Sequence, residues 1–112
     1  KVLVMGATFK ENVSDIRNSK IIDTVKELLA FNIQVDVEDP FAEAHEVFEE
    51  YGLHLTAKES NDYDAVIITV PHKGYLELGD TYFNGITKEH ALIYDLKGIY
   101  RNKISKRKYA SL

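Results

Sequence analysis

Six residues, Ala65-Val66-Ile67-Ile68-Thr69-Val70, constrain the fold of this chain more than any others. The run is almost unbroken in its apolarity and has no polar face to turn toward water. It reads as a central parallel strand covered on both sides. Such a strand needs partners, and the sequence offers them. Val2-Leu3-Val4-Met5 is a shorter apolar run, Ile33 to Glu38 alternates with period two, and Ala91-Leu92-Ile93-Tyr94-Asp95 is the last strand.

Helical patterns separate these runs. Ile21, Ile22, Val25, Leu28 and Leu29 recur on one side of a helix beginning near Ser19, opposite Lys20, Asp23, Lys26 and Glu27. Asp39-Pro40 closes the alternating strand, because proline disfavours helix at the residue before it and donates nothing to a ladder. A second helix is expected over residues 42–51, with Ala44, Val47, Phe48 and Tyr51 inward, four glutamates outward and Gly52 as its stop. His54-Leu55-Thr56 reads as a short strand, residues 57–62 as a turn, Tyr75 to Leu78 as the start of a short helix, and Asn84-Gly85 as a turn. The alternation predicts an α/β fold: a single three-layer, doubly wound, mainly parallel sheet of Rossmann-like kind spanning residues 1–112.

Charge is uneven along the chain. The formal net charge is −4, yet Arg101, Lys103, Lys106, Arg107 and Lys108 fall in the last dozen residues, leaving −9 on residues 1–100. An acidic body repels nucleic acid, and residues 101–112 read as a solvated basic tail. No apolar run approaches the roughly 20 residues of a membrane span. With no cysteine there is neither a disulfide framework nor a thiol nucleophile, and a cytoplasmic protein is expected. Starting on a strand at Lys1, the chain reads as a piece of something longer.

The connection from Gly6 to Ser19 is about twice the usual 2–6 residues between a parallel strand and its helix, and it is mostly polar. Long loops in compact units tend to bind something. Gly6 turns the backbone off the strand. Lys10 and Arg17 supply a flexible ammonium and a planar fork, and Phe9 supplies a flat apolar face beside Lys10. Asp15, Asn18 or Ser19 would cap the next helix, whose N-terminal amides suit an anion. The plainer alternative is a surface pair between Asp15 and Arg17. In wound sheets, ligands lie beyond the carboxyl ends of the strands. There the loops 8–19, 71–75 and 96–100 would meet, crowding Lys10, Arg17, Lys73 and Lys97 together; a phosphorylated ligand fits that arrangement.

Other motifs fall away. Only Gly6 stands where a dinucleotide fold needs Gly-x-Gly-x-x-Gly, and no P-loop is present. A receiver domain needs acids where this chain has Gly6-Ala7-Thr8. His45 and Glu49 share a helix face that reads as solvated, and His72 ends the central strand, where it reads as a hydrogen-bonded loop residue. No metal set and no catalytic residue is expected.

The string Gly-x-Thr-Phe-Lys-Glu-Asn-x-x-Asp-x-Arg-x-Ser over residues 6–19 resembles the opening of the C-terminal domain of the UDP-glucose/GDP-mannose dehydrogenase family. Asp39-Pro40, Thr69 to Tyr75 and Tyr94 to Tyr100 resemble later parts of that domain in order. The resemblance implies the UDP-sugar-binding part of an NAD-dependent enzyme that oxidises a sugar C6 hydroxyl to a carboxylate through a catalytic cysteine lying upstream. NAD would be bound mainly by an upstream domain, a helical segment would make a homodimer, and this part alone would be inactive. Carried over by position, Phe9 and Lys10 would contact the nucleotide sugar and Arg17 would reach the NAD phosphates. Lys97 stands where UDP-glucose enzymes carry arginine in an Asp-Gly-Arg triplet. Asp95-Leu96-Lys97, with Val70-Pro71-His72, is similar to the UDP-N-acetylhexosamine branch, which serves surface polysaccharide. Two other readings are a stand-alone nucleotide-binding or regulatory module and a purely architectural domain.

Overall fold

The computed structural model describes residues 1–8, 12, 14–17 and 19–112. Its centre is a five-stranded sheet in the order β2-β1-β3-β4-β5, with every neighbouring pair parallel. The strands are β1 (Val2–Met5), β2 (Val35–Glu38), β3 (Tyr63–Ile68), β4 (Thr87–Asp95) and β5 (Lys108–Ser111). Helix α1 (Ile21–Ala30) links β1 to β2, and α2 (Ala44–Tyr51) links β2 to β3. A 3₁₀ turn (Lys73–Glu77) and α3 (Asp80–Ile86) precede β4. As the unbroken run 65–70 requires, β3 lies in the middle.

The two sheet faces are covered differently. Leu3, Met5, Val66, Ile68 and Ile93 form one core with Tyr75, Phe83 and Tyr100, so the connections on either side of β4 pack on that face. Val4 and Val37 face the other way and pack with Ala7, Ile22 and Val25, joined by Tyr51 at the end of α2. The ends of α2 are explained locally. Glu43 caps α2 by accepting from the N–H groups of His45 and Glu46, and Gly52 ends it in the left-handed conformation (φ 70°), donating to the Phe48 carbonyl.

Three expectations are corrected. His54-Leu55-Thr56 forms no strand; a single bond from Thr56 N–H to the Val37 carbonyl at 2.7 Å holds it beside β2. Asn84-Gly85 is no turn between elements but the last turn of α3, because Phe83 is fully buried and draws the segment onto the sheet. Residues 101–112 are no solvated tail, since Lys108–Ser111 is the edge strand β5. The guanidinium of Arg107 donates to Thr87 Oγ1 (2.9 Å) and to the Asn84 carbonyl (3.4 Å) at the end of α3, where a cation suits the helix dipole. Tyr109 donates its hydroxyl to Asp95 Oδ2 at 2.7 Å.

Candidate functional site

From β1 the chain moves outward to β2 and then back across to β3, so the winding reverses between β1 and β3. Ligands of open α/β sheets bind at such a reversal, beyond the strand carboxyl ends. A cleft of about 420 Å³ lies there, lined by Thr8, Ser19, Lys20, Ile21, Thr24, Thr69, Val70, Leu96 and Lys97. The volume falls within the usual range for small-ligand sites. Two of the three loops expected to converge line this cleft, whereas 71–75, with Lys73, does not; the end of the central run 65–70 stands in its place. The first gives Thr8 and Ser19, the last gives Leu96 and Lys97, and the segment after β3 contributes Thr69 and Val70.

The strand ends are drawn together by close backbone contact. Thr69 Oγ1 donates to the carbonyls of Met5 (3.0 Å) and Gly6 (2.8 Å). Gly6 has φ +114°, and a Cβ there would lie 2.7 Å from Thr69 Oγ1 and 2.9 Å from the Val70 nitrogen. Glycine is therefore required at this crossing for two independent reasons, the dihedral and the room.

Beneath the cleft sits a buried polar lock. Asp39 Oδ2 accepts from the N–H groups of Ala7 (2.6 Å) and Thr8 (3.0 Å), while Oδ1 accepts from those of Phe41 (2.8 Å) and Ala42 (3.2 Å). His72, with no exposed surface, takes Asn12 N–H on Nδ1 at 2.9 Å. Its ring hydrogen therefore sits on Nε2, 2.9 Å from Asp39 Oδ2 and 3.2 Å from Thr8 Oγ1. Asn12, left-handed at φ 60°, accepts Lys73 N–H on Oδ1 at 2.6 Å. The tips of β2 and β3 thus hold the long crossover at its start and at Asn12. His72 is the hydrogen-bonded loop residue its sequence position suggests, and Asp39 is far more than a strand terminator.

Beside the lock, Glu38 accepts the Tyr75 hydroxyl at 2.6 Å. Burial, with smaller contributions from Glu59 and Asp39, pushes its carboxyl up to about 7 against the opposing Tyr75 bond. On the far side, Asp95 Oδ2 accepts Tyr100 N–H at 2.7 Å and so fixes the turn that presents Lys97.

Lys97 and Lys20 both line the cleft. Sequence reading singled out Lys97 and missed Lys20, placing it only on the polar side of α1. A signal existed: Lys20 is the N-cap of α1, where a cation opposes the helix dipole, and it makes no side-chain cap. The expected capping by Asp15 or Ser19 does not occur. Asp15 instead accepts from Arg17, at 2.9 Å from its N–H and 3.1 Å from Nε. That bonding holds the Asp15 carboxyl below the usual range and the guanidinium above its own. Arg17 is 79% exposed and does not line the cleft. Phe9, Lys10 and Asn18 lie outside the described residues. His45 and Glu49 form an exposed pair at 3.5 Å, and no cluster of metal-binding side chains occurs among the described residues.

Comparison with known proteins now decides the family. The UDP binding domain of the UDP-glucose/GDP-mannose dehydrogenase family matches residues 3–102. The chain belongs to that family. Over 97 residues it is 44% identical to UDP-N-acetyl-D-glucosamine 6-dehydrogenase of Salmonella typhi, covering 86% of this chain and 23% of the relative. Protein CapL of Staphylococcus aureus is 40% identical over 99 residues, covering 88% of this chain and 23% of that protein. The native structure of the UDP-N-acetyl-mannosamine dehydrogenase Cap5O from Staphylococcus aureus superposes with a TM-score of 0.77 at 27% identity, covering 99% of this chain and 26% of that one. This UDP binding domain therefore spans about a quarter of the proteins it matches, two of which are named as dehydrogenases of acetamido sugars.

Proposed function

We propose that residues 1–112 are the UDP-sugar-holding part of an NAD-dependent UDP-N-acetylhexosamine 6-dehydrogenase, which makes a uronic acid for surface polysaccharide. The observation that carries this reading is the cleft at the β1/β3 reversal, walled by two loops and the segment after β3 and bearing Lys20, Lys97 and the N-terminus of α1. Two ammonium groups at the positive end of a helix suit a diphosphate. Phe9 and Lys10 are assigned to the nucleotide sugar by their positions in the family's sequence pattern alone. Arg17, turned to solvent, is free to exchange Asp15 for a phosphate presented by another part of the polypeptide.

NAD does not fit this domain. A Cβ on Gly6 would meet Thr69 and Val70, and the further glycines that let a dinucleotide's pyrophosphate approach the backbone are missing after the first strand. NAD, which accepts hydride from the sugar C6, is read as held mainly by an upstream domain of the same polypeptide, and the nucleophilic thiol that residues 1–112 lack as coming from a further upstream segment. No helix among the described residues is long and apolar enough to cross a membrane, and the whole enzyme is read as a cytoplasmic homodimer. The test is the complete polypeptide with NAD and a panel of UDP-sugars. Two NADH per UDP-N-acetylhexosamine, with little turnover of UDP-glucose, is the expected result; absence of NAD reduction with every UDP-sugar would overturn the reading.

A further inference from the structure

All-parallel sheets are stable with both faces covered, and here one face is covered only in part. The connections on either side of β4 pack on the face of Leu3, Val66 and Ile93. On the opposite face α1 and Tyr51 shield β1 and β2. Over β3 and β4 that face carries Ala65, Ile67, Leu92 and Tyr94, and no element among the described residues lies on them. They floor an apolar groove of about 350 Å³ whose remaining walls are Ile21, Thr24 and Leu96. Leu92, mid-strand, is 36% exposed.

We infer that this groove seats one amphipathic helix from the part of the same polypeptide outside residues 1–112. The inference rests on the reading of the chain as a quarter of a larger enzyme. The width agrees: the floor strands β3 and β4, with the edge strand β5 beside them, span two strand spacings, about 10 Å, and an α-helix with its side chains is about 10–12 Å across. The rim agrees as well. Lys20 and Lys97 stand at one end, and Lys108, paired in register with Leu92, stands along the open side. The docked helix therefore carries acidic residues beside its apolar stripe. A second copy of this face would bring those lysines against their own equivalents. Because Ile21, Thr24 and Leu96 wall both groove and cleft, the seated helix also closes one side of the nucleotide site.

The test places the photocrosslinker benzoylphenylalanine at Leu92 in the complete polypeptide, with Tyr94 as a second position close to it in size and shape. Products are sized on a denaturing gel and mapped by peptide mass. The expected product has the mass of one chain and joins the probe to a peptide outside residues 1–112. A product of two-chain mass joined within residues 1–112, or no crosslink at either position, overturns the inference. UDP affinity measured on the same samples separates the two readings. Intact UDP binding without an intramolecular crosslink defeats the docking alone, and a crosslink without UDP binding defeats the nucleotide site alone.

Discussion

At the base of the long crossover, Asp39 and His72 are wholly buried, and their polar atoms are bonded to backbone amides or to each other. At its rim, Lys20, Lys97 and Arg17 stand in solvent, and the ion pair of Arg17 is with a residue two positions away. Buried, fully bonded polar groups impose one geometry, because any rearrangement leaves an amide unpaired in a dry place. Exposed cations impose none, yet they remain available to an incoming anion. The domain thus separates shaping the site from binding in it. Substitutions at the base should disturb fold and ligand together, while those at the rim should disturb ligand alone.

The largest effect is expected at the base. Asp39→Ala leaves the N–H groups of Ala7 and Thr8 without an acceptor and should cost about 3–5 kcal/mol. Thermal melting followed by circular dichroism would show a fall of more than about 10 °C for a domain of this size; a melt within a degree or two of wild type would mean the lock is not what holds the crossover. Gly6→Ala comes next, at about 2–4 kcal/mol, since the new methyl group meets backbone and the dihedral is strained. Chemical denaturation reads this directly.

The base also has a pH signature. Glu38 holds its proton more tightly folded, near 7, than unfolded, near 4.5, so its contribution is complete below pH 4.5 and is lost as pH rises through 7. Between those values stability should fall by up to about 3 kcal/mol from this group. Glu38→Gln, which can still accept from Tyr75, should flatten that slope in denaturation curves taken from pH 5 to 8.

How much of this was legible beforehand follows from the same contrast. The central strand, the helices α1 and α2 and the cap at Gly52 are local patterns and were legible, although β3 runs over Tyr63–Ile68 rather than 65–70, and Leu29, Ala44 and Phe48, expected inward, are exposed. The strand-tip position of the cleft was legible too, because winding dictates it, and Lys97 came with its turn, but loop 71–75 and Arg17 do not line it. The pair Asp39 and His72 lies 33 residues apart, and no periodicity announces a partner at that distance. Helix α3 hid because Asn84-Gly85 mimics a turn when the burial of Phe83 is unknown. Strand β5 hid because its cations look solvated until Arg107 is seen bonded at the end of α3.

The rim predictions are smaller and leave stability alone. Lys97→Ala should weaken UDP binding about five- to tenfold by calorimetry without moving the melting temperature, and the loss should shrink at high salt. Arg17→Ala should change neither the melt nor UDP affinity of residues 1–112, because its bonds to Asp15 are exposed. Its effect should appear only in the complete polypeptide, as a raised KM for NAD.

The most direct test is a titration of the isotopically labelled chain with UDP, followed amide by amide by NMR. Shifts concentrated at Thr8, Lys20, Ile21, Thr69 and Lys97 are predicted, surrounding the cleft at the strand reversal. Saturable shifts confined to another surface, with those five amides unmoved, would contradict the site.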